Sequence, residues 1–167
     1  MRRPAVLLLA LLSTACYESE FPLDPAPLVA VDPGLLGTWR CLPLDGDADE
    51  LPAVLTIARD SRDKVYDARW EEPGDRPDHY EAYASTVGTV TIFNLHELGG
   101  PDAAAKWEFA RIALLRPDVL HLQIADDKAL AGTEATRPAL RAALERLQTS
   151  ATLFSGGVVC VRARPAQ

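Results

Sequence analysis

The fold is decided by the stretch from residue 79 to residue 96, HYEAYASTVGTVTIFNLH. Both halves are rich in β-branched and aromatic residues, and the pattern of side chains has a period of two. Gly88 separates the halves as a turn residue does. Because successive side chains of a strand point to opposite faces, Tyr80, Ala82 and Ala84 share one face. The stretch therefore predicts two antiparallel strands joined by a tight turn.

The same pattern continues on both sides of this hairpin, with acidic, glycine or proline clusters between the runs. We predict strands over 36–44, 52–59, 64–71, 79–87, 89–96, 106–115, 118–124 and 156–163. Eight strands suffice to close a small barrel and so remove exposed edges. A helix is predicted over 137–149, with Thr136 as its N-cap, and a shorter helical turn over 126–131. We expect a mainly β domain, a single antiparallel barrel with one C-terminal helix before the last strand.

The composition excludes one class of partner. Hydrophobic residues make up 48% of the 167 residues and charged residues 25%, which is typical of a globular domain. The 17 basic and 24 acidic residues give a net charge of −7. A nucleic-acid binder needs a basic face. We therefore expect no nucleic-acid partner.

The first residues have the order of a secretory signal peptide, which we assign to 1–15. A positive Met1-Arg2-Arg3 precedes a short apolar run and the small residues before Cys16. The segment Leu12-Ser13-Thr14-Ala15-Cys16 resembles the lipobox of bacterial lipoproteins, which implies that Cys16 becomes the lipidated first residue. The alternative is an ordinary secreted protein cut near Ala15, with Cys16 left for a disulfide.

The lipoprotein resemblance implies membrane attachment through N-terminal acyl chains. Tyr17, rather than an aspartate, follows the cysteine, which implies an outer-membrane anchor facing the periplasm. Removal of residues 1–15 takes away two arginines and no acid, so the net charge of −7 becomes −9. The proline-rich stretch 16–34 is interpreted as a lipidated cysteine and a tether, part of which lies on the domain if its apolar residues pack there. The barrel domain is expected over 35–163, followed by a tail over 164–167.

The start of the first strand carries a second resemblance. Leu36-Gly37-Thr38-Trp39 resembles the Gly-x-Trp start of the first barrel strand in lipocalins and lipocalin-like bacterial lipoproteins. In lipocalins an arginine of the last strand packs over that tryptophan. The resemblance implies that Arg162 closes the barrel against Trp39.

Lipidation of Cys16 would leave an even pair, Cys41 and Cys160, in an oxidising compartment. If the two cysteines face each other across an antiparallel pair of strands, opposed residue numbers sum to 201. Trp39 then lies opposite Arg162 on the same face. The disulfide and the closure pair would share one register. The alternative is that both thiols are buried and free.

Candidate chemistry is sparse. Asp45, Asp47 and Asp49 alternate as in the opening of a calcium loop. However, Glu50 occupies the position where that motif needs a glycine for its turn, and Thr56 occupies the position of its bidentate glutamate. We interpret this stretch as a solvated acidic turn and expect no metal and no cofactor. The sequence has no nucleophile elbow, phosphate-binding loop or paired-carboxylate motif, so we expect no enzymatic activity, although a site assembled from distant residues stays open.

Two hypotheses of function remain for what we expect to be a monomer. In the first, the barrel is filled and the protein is a structural or partner-binding lipoprotein. In the second, it carries a small apolar ligand or lipid in a cavity of roughly 300 Å³ or more. The aromatic side chains that would line such a cavity, or fill the core, are Tyr66, Trp70, Tyr80, Trp107 and Phe109.

Overall fold

Eight antiparallel strands follow one another around a closed barrel, each paired with its neighbour in the chain, and the last returns to the first. The computed structural model describes residues 17–44, 51–99, 106–131, 136–154 and 156–164. The strands are β1 (Gly37–Pro43), β2 (Ala53–Arg59), β3 (Tyr66–Glu71), β4 (Asp78–Val87), β5 (Val90–Glu97), β6 (Glu108–Arg116), β7 (Val119–Ile124) and β8 (Val158–Arg162). The predicted fold class is confirmed, and each strand begins and ends within two residues of its predicted span.

The hairpin of β4 and β5 has the predicted turn. Val87 pairs with Val90, so Gly88 and Thr89 form the connection. Gly88 has a φ of +58°, a conformation that glycine adopts without steric cost. A two-residue turn of this kind matches the twist of the strands that it joins.

The seam between β1 and β8 has the predicted register. Cys41 pairs with Cys160, and Trp39 pairs with Arg162. The two cysteines form a disulfide with an S–S distance of 2.02 Å. The alternative of two free thiols is therefore wrong, and the disulfide closes the barrel where its first and last strands meet.

Two helices lie between β7 and β8. The short α1 (Asp127–Leu130) begins after Asp126, whose side chain accepts from the amides of Lys128 and Ala129. The longer α2 (Arg137–Leu147) begins after Thr136, which caps it as predicted by accepting from the amide of Ala139. The apolar face of α2, which includes Leu140, Ala143 and Leu144, is buried on the outside of the barrel.

The core is divided between the two faces of the sheet. The inner cluster lies within the barrel and includes Trp39, Leu55, Phe93 and the disulfide. The outer cluster lies between the barrel wall, α2 and the N-terminal residues, and its buried members are Tyr17, Leu23, Val87, Ile92, Phe109, Ala125, Leu130, Leu140, Ala143, Leu144, Leu153 and Phe154. Residues of both faces of β5 and β6 are therefore buried.

The described part of the predicted tether packs against the barrel. Tyr17, Leu23 and Val31 are 3%, 1% and 5% exposed. The backbone of Ser19 pairs with that of Trp107 in an antiparallel bridge. Part of the stretch 16–34 therefore lies on the domain, with Tyr17 and Leu23 in the outer cluster and Val31 in the inner cluster, whereas Leu28 is exposed. Cys16 lies outside the described residues.

The two ends of the barrel differ. We call the end where β1 ends and β2 begins the mouth, and the opposite end the floor. At the floor a 3₁₀-helix (Pro33–Leu35) precedes β1, and its Leu35 is buried in the inner cluster. The described residues begin near the mouth, where the amide of Tyr17 donates to the carbonyl oxygen of Ala125 at 3.2 Å.

Candidate functional site

A cavity of about 790 Å³ occupies the interior of the barrel toward the mouth. Its walls are formed by inward side chains of β2 to β8. Exposed residues of the mouth, among them Glu72 and Asp78, belong to the lining, so the cavity is open to solvent at this end. The lining residues are Leu35, Leu55, Ile57, Tyr66, Ala68, Trp70, Glu72, Asp78, Tyr80, Ala82, Phe93, Leu95, Glu108, Ile112, Leu122, Ile124, Ala125, Asp126, Gly156, Gly157 and Val158.

The cavity exists because small side chains face the interior among large ones. On β3 the inward residues are Tyr66, Ala68 and Trp70, and Ala68 pairs with Tyr80 of β4. Inward side chains of an eight-stranded barrel either fill the interior or leave room for one small ligand. The alanines at these positions leave the space that larger aliphatic side chains would occupy.

The floor of the cavity is closed by packed aromatic side chains. The rings of Tyr66 and Phe93 meet edge to face with centroids 5.7 Å apart. The hydroxyl of Tyr66 also accepts from the amide of Asp32 at 2.7 Å, which joins the barrel to the segment before the 3₁₀-helix. Trp39 is 0% exposed, and its Nε1 donates to the carbonyl oxygen of Leu35 at 3.0 Å.

Arg162 covers this floor from outside. Its guanidinium carbon lies 4.1 Å from the centroid of the Trp39 ring, a cation–π contact. Its Nη1 donates to the carbonyl oxygen of Leu36 at 2.6 Å, and its Nη2 to that of Gly34 at 2.7 Å. Gly37 leaves room for this group, since a Cβ at Gly37 would lie 2.7 Å from Nη1. The predicted closure of Trp39 by Arg162 is present in the structure.

The mouth of the cavity is acidic. Four lining residues are carboxylates, namely Glu72, Asp78, Glu108 and Asp126, and none of the lining residues described is lysine, arginine or histidine. Trp70 Nε1 donates to Glu72 Oε1 at 2.9 Å, and Asp126 accepts from the amide of Lys128 at 2.9 Å. Asp78 pairs across the strands with Trp70, and Glu108 pairs with Leu95.

One of these carboxyls, Glu108, has a raised pKa. It lies at the start of β6, half-buried, with its side chain toward the cavity. Burial raises the pKa of Glu108, and the neighbouring carboxylates Glu18, Glu97 and Asp78 raise this pKa further. A carboxylate in this position is destabilised by desolvation and by like charge.

Three of the five aromatic residues predicted to line a cavity do so, namely Tyr66, Trp70 and Tyr80. Trp107 and Phe109 do not line it and belong instead to the core, which is the other alternative that the sequence left open. Phe109 is 0% exposed in the outer cluster, where its ring lies against that of Tyr17. Trp107 stacks on His96 and packs against the same cluster. The inward residues of β6 are instead Glu108, Ala110 and Ile112, which alternate with Phe109.

The acidic mouth was missed by sequence reasoning, although the strand order carries a signal for it. In an up-and-down barrel, the last residues of the odd-numbered strands and the first residues of the even-numbered strands lie at the same rim. Glu72 follows β3, Asp78 begins β4, Glu108 begins β6 and Asp126 follows β7, so all four acids fall at one rim. The predicted strand ends can be assigned alternately to the two rims, and this assignment places all four carboxylates at the same rim.

Two further site predictions lie outside the described residues: lipidation of Cys16 and the acidic turn of Asp45, Asp47 and Asp49. Among the described residues, no three His, Cys, Asp or Glu side chains are grouped so that they could hold a metal ion. Within the same part of the chain, no helix has the length and apolar character needed to cross a membrane.

Comparisons with protein families, with curated proteins and with solved structures return no match. The function is therefore inferred from the chemistry of the cavity and of the residues around it. Fold alone does not decide function, because barrels of one type serve many activities.

Proposed function

We propose that the protein is a lipid-anchored carrier of the bacterial cell envelope that binds a small apolar ligand in its barrel and catalyses no reaction. The observation that carries this proposal is the open cavity of about 790 Å³. Ligand pockets commonly have volumes of about 300–1,000 Å³ and mostly apolar walls. A filled structural barrel needs no such space, so the cavity favours the carrier over the structural or partner-binding alternative.

The lipocalin-like interpretation belongs to the same proposal. It is supported by the arrangement of Gly37, Trp39 and Arg162 at the floor, where the glycine admits the guanidinium to the tryptophan ring. It is also supported by the up-and-down order of the strands. In such a barrel the closed floor leaves the mouth as the route by which a ligand enters.

The position of Tyr17 supports a mouth that faces the bilayer. The amide of Tyr17 bonds to Ala125, a residue of the cavity lining, and Cys16 is the preceding residue. Acyl chains attached to Cys16 would therefore extend from the protein at a point beside the mouth. The exposed leucines of the same end are Leu42, Leu44, Leu51 and Leu98. In this orientation an apolar ligand passes between the outer membrane and the cavity with little exposure to water.

The carrier function is tested by filling the cavity. Residues 17–167 contain both hydrophobic clusters, the disulfide and every described contact, so this domain can be exported without the lipid and purified. Ala68 faces the cavity, whereas Ala58 is exposed on the outer face of β2. We expect Ala68→Phe to weaken binding of an apolar fluorescent probe at least tenfold and Ala58→Phe to leave binding unchanged. Equal binding by both variants, or no binding by the parent domain, would refute the carrier.

The lipid anchor is tested on the full chain in bacteria fed with a fatty-acid analogue. We expect the parent and a Cys41→Ser variant to incorporate the label and to sediment with membranes. Cys16→Ser should incorporate none, because the thioether needs that sulfur. Label retained by Cys16→Ser, or absent from the parent, would refute lipidation at this position.

A further inference from the structure

The cavity has the polarity of a binding site for an amphiphile. Its deeper walls are aliphatic, with Leu55, Ile112 and Leu122 among them, and its rim holds carboxylates. From Glu108 to Ile112 the strand rises about 13 Å at 3.3 Å per residue. A ligand with an apolar chain of this length would place its other end at the rim. The rim therefore decides which head group is accepted.

Two rim carboxylates have free acceptor capacity. Glu72 already accepts from Trp70, and Asp126 caps α1. Burial and neighbouring carboxylates raise the pKa of Glu108 without any hydrogen bond among the causes, and Asp78 is exposed at the rim. Each ionised carboxylate has about four lone-pair sites for donors. These two residues are the places where a charged donor of the ligand can be bound.

The surroundings of Glu108 favour a cation. Glu108 is half-buried beside Glu18, Glu97 and Asp78, and of these Glu18 forms an ion pair with Lys106. Burial and like charge together destabilise the ionised Glu108. A positively charged group at the rim would offset both effects, whereas an anionic group would add a further like charge.

We propose that the cavity binds an amphiphile with a positively charged amine or guanidine head group, which holds its apolar chain inside the barrel and its head at Asp78 and Glu108. This inference rests on the proposed carrier function and adds the ligand class. An amphiphile with a carboxylate or phosphate head is rejected by the rim. A neutral alcohol is bound through its chain alone.

The test compares three probes of equal chain length, dodecylammonium, dodecanol and dodecanoate, below the concentrations at which they form micelles. Binding to the domain of residues 17–167 is measured by calorimetry at neutral pH. We expect dodecylammonium to bind at least tenfold more tightly than dodecanol, and dodecanoate to bind more weakly than both. Tenfold corresponds to about 1.4 kcal/mol.

Variants that each remove a single charge show which carboxylate causes the preference for dodecylammonium. Glu108→Gln should reduce the preference for dodecylammonium over dodecanol about tenfold and leave the affinity for dodecanol unchanged. The matched control is Glu145→Gln, on the exposed face of α2, which should keep the parent preference. A structural effect of the Glu108 substitution would weaken all three probes alike, and that outcome would overturn the assignment of the head group to Glu108.

The outcomes also separate this inference from the carrier function. Equal affinity for the three probes, or the tightest binding of dodecanoate, would overturn the cationic class and leave the carrier standing. Failure of all three probes to bind would overturn both.

Discussion

The side-chain Oδ1 of Asn94 accepts a hydrogen bond of 2.7 Å from the backbone amide of Leu23, which lies 71 residues earlier in the chain. Asn94 is 0% exposed, and its Nδ2 donates to the carbonyl oxygen of Tyr83 at 3.1 Å and to Oγ of Ser85 at 2.8 Å. One buried amide thus joins the N-terminal segment to the outer face of β4 and β5. The hydroxyl of Tyr83 donates in turn to the carbonyl oxygen of Asp24 at 2.5 Å. The segment around Leu23 and Asp24 is therefore part of the folded domain.

Removing this amide should loosen the N-terminal segment. Asn94→Ala leaves the amide of Leu23 buried without its acceptor, which costs about 1–3 kcal/mol of unfolding free energy. Urea denaturation measures the loss. Thr91→Ala, an exposed position of the same strand, is the matched control and should change stability by less than about 0.5 kcal/mol. Equal stability of the two variants would contradict a role for Asn94 in holding the segment.

The floor depends on the geometry of Arg162 and not on its charge alone. Arg162→Lys keeps the charge but loses the planar group that stacks on Trp39 and donates to several carbonyl oxygens at once. We expect a loss of about 2 kcal/mol of unfolding free energy, typical of hydrogen bonds from a charged group. Arg116→Lys is the control, since its side chain is 70% exposed. A lysine tolerated equally well at both positions would argue against the stacked floor.

The disulfide should be both strongly stabilising and hard to reduce in the folded protein. Cys41 and Cys160 are 1% and 0% exposed, so a reductant reaches the sulfurs only after the barrel opens. The bond closes a loop with a sequence separation of 119, which the chain-entropy model values at about 4–5 kcal/mol.

Denaturation with and without reductant checks this prediction. The parent should lose about 4–5 kcal/mol when reductant is present during unfolding. A double variant, Cys41→Ala with Cys160→Ala, should show the same lower stability in both conditions. Two thiols found by mass spectrometry in the native, non-reduced protein would contradict the bond.

The parts of the fold that the sequence predicted are those set by local signals. Acidic, glycine or proline residues mark the places where strands end. The pairing of Cys41 with Cys160 sets the register that places Trp39 opposite Arg162. The direction in which Phe109 points was not predictable in this way. Both faces of β6 are covered by apolar residues, so alternation does not show which face points into the barrel. The contact of Leu23 with Asn94 is non-local, and no local pattern indicates it.

The candidate site was predictable only in part. The inward face of β3 follows from alternation, which placed Tyr66 and Trp70 together. Whether that face encloses space depends on how Ala68 and the side chains of other strands fit, which is a property of volumes across the barrel. The proximity of the acidic residues at the mouth can be predicted only when the strand order is known, since Asp78 and Glu108 belong to different hairpins.

The raised pKa of Glu108 predicts a pH-dependent stability. Because burial, with Glu18, Glu97 and Asp78, holds the pKa above the ordinary value, the folded protein binds the proton more tightly than the unfolded chain does. The unfolding free energy should therefore fall as the pH rises through the raised pKa. Glu108→Gln removes the charge, so it should be more stable than the parent at neutral pH, and the gain should vanish as the pH falls to about 4. Urea denaturation of both proteins across this range measures the gain, with Glu145→Gln as control. A gain that does not change with pH would show that the ionised carboxylate is not its cause.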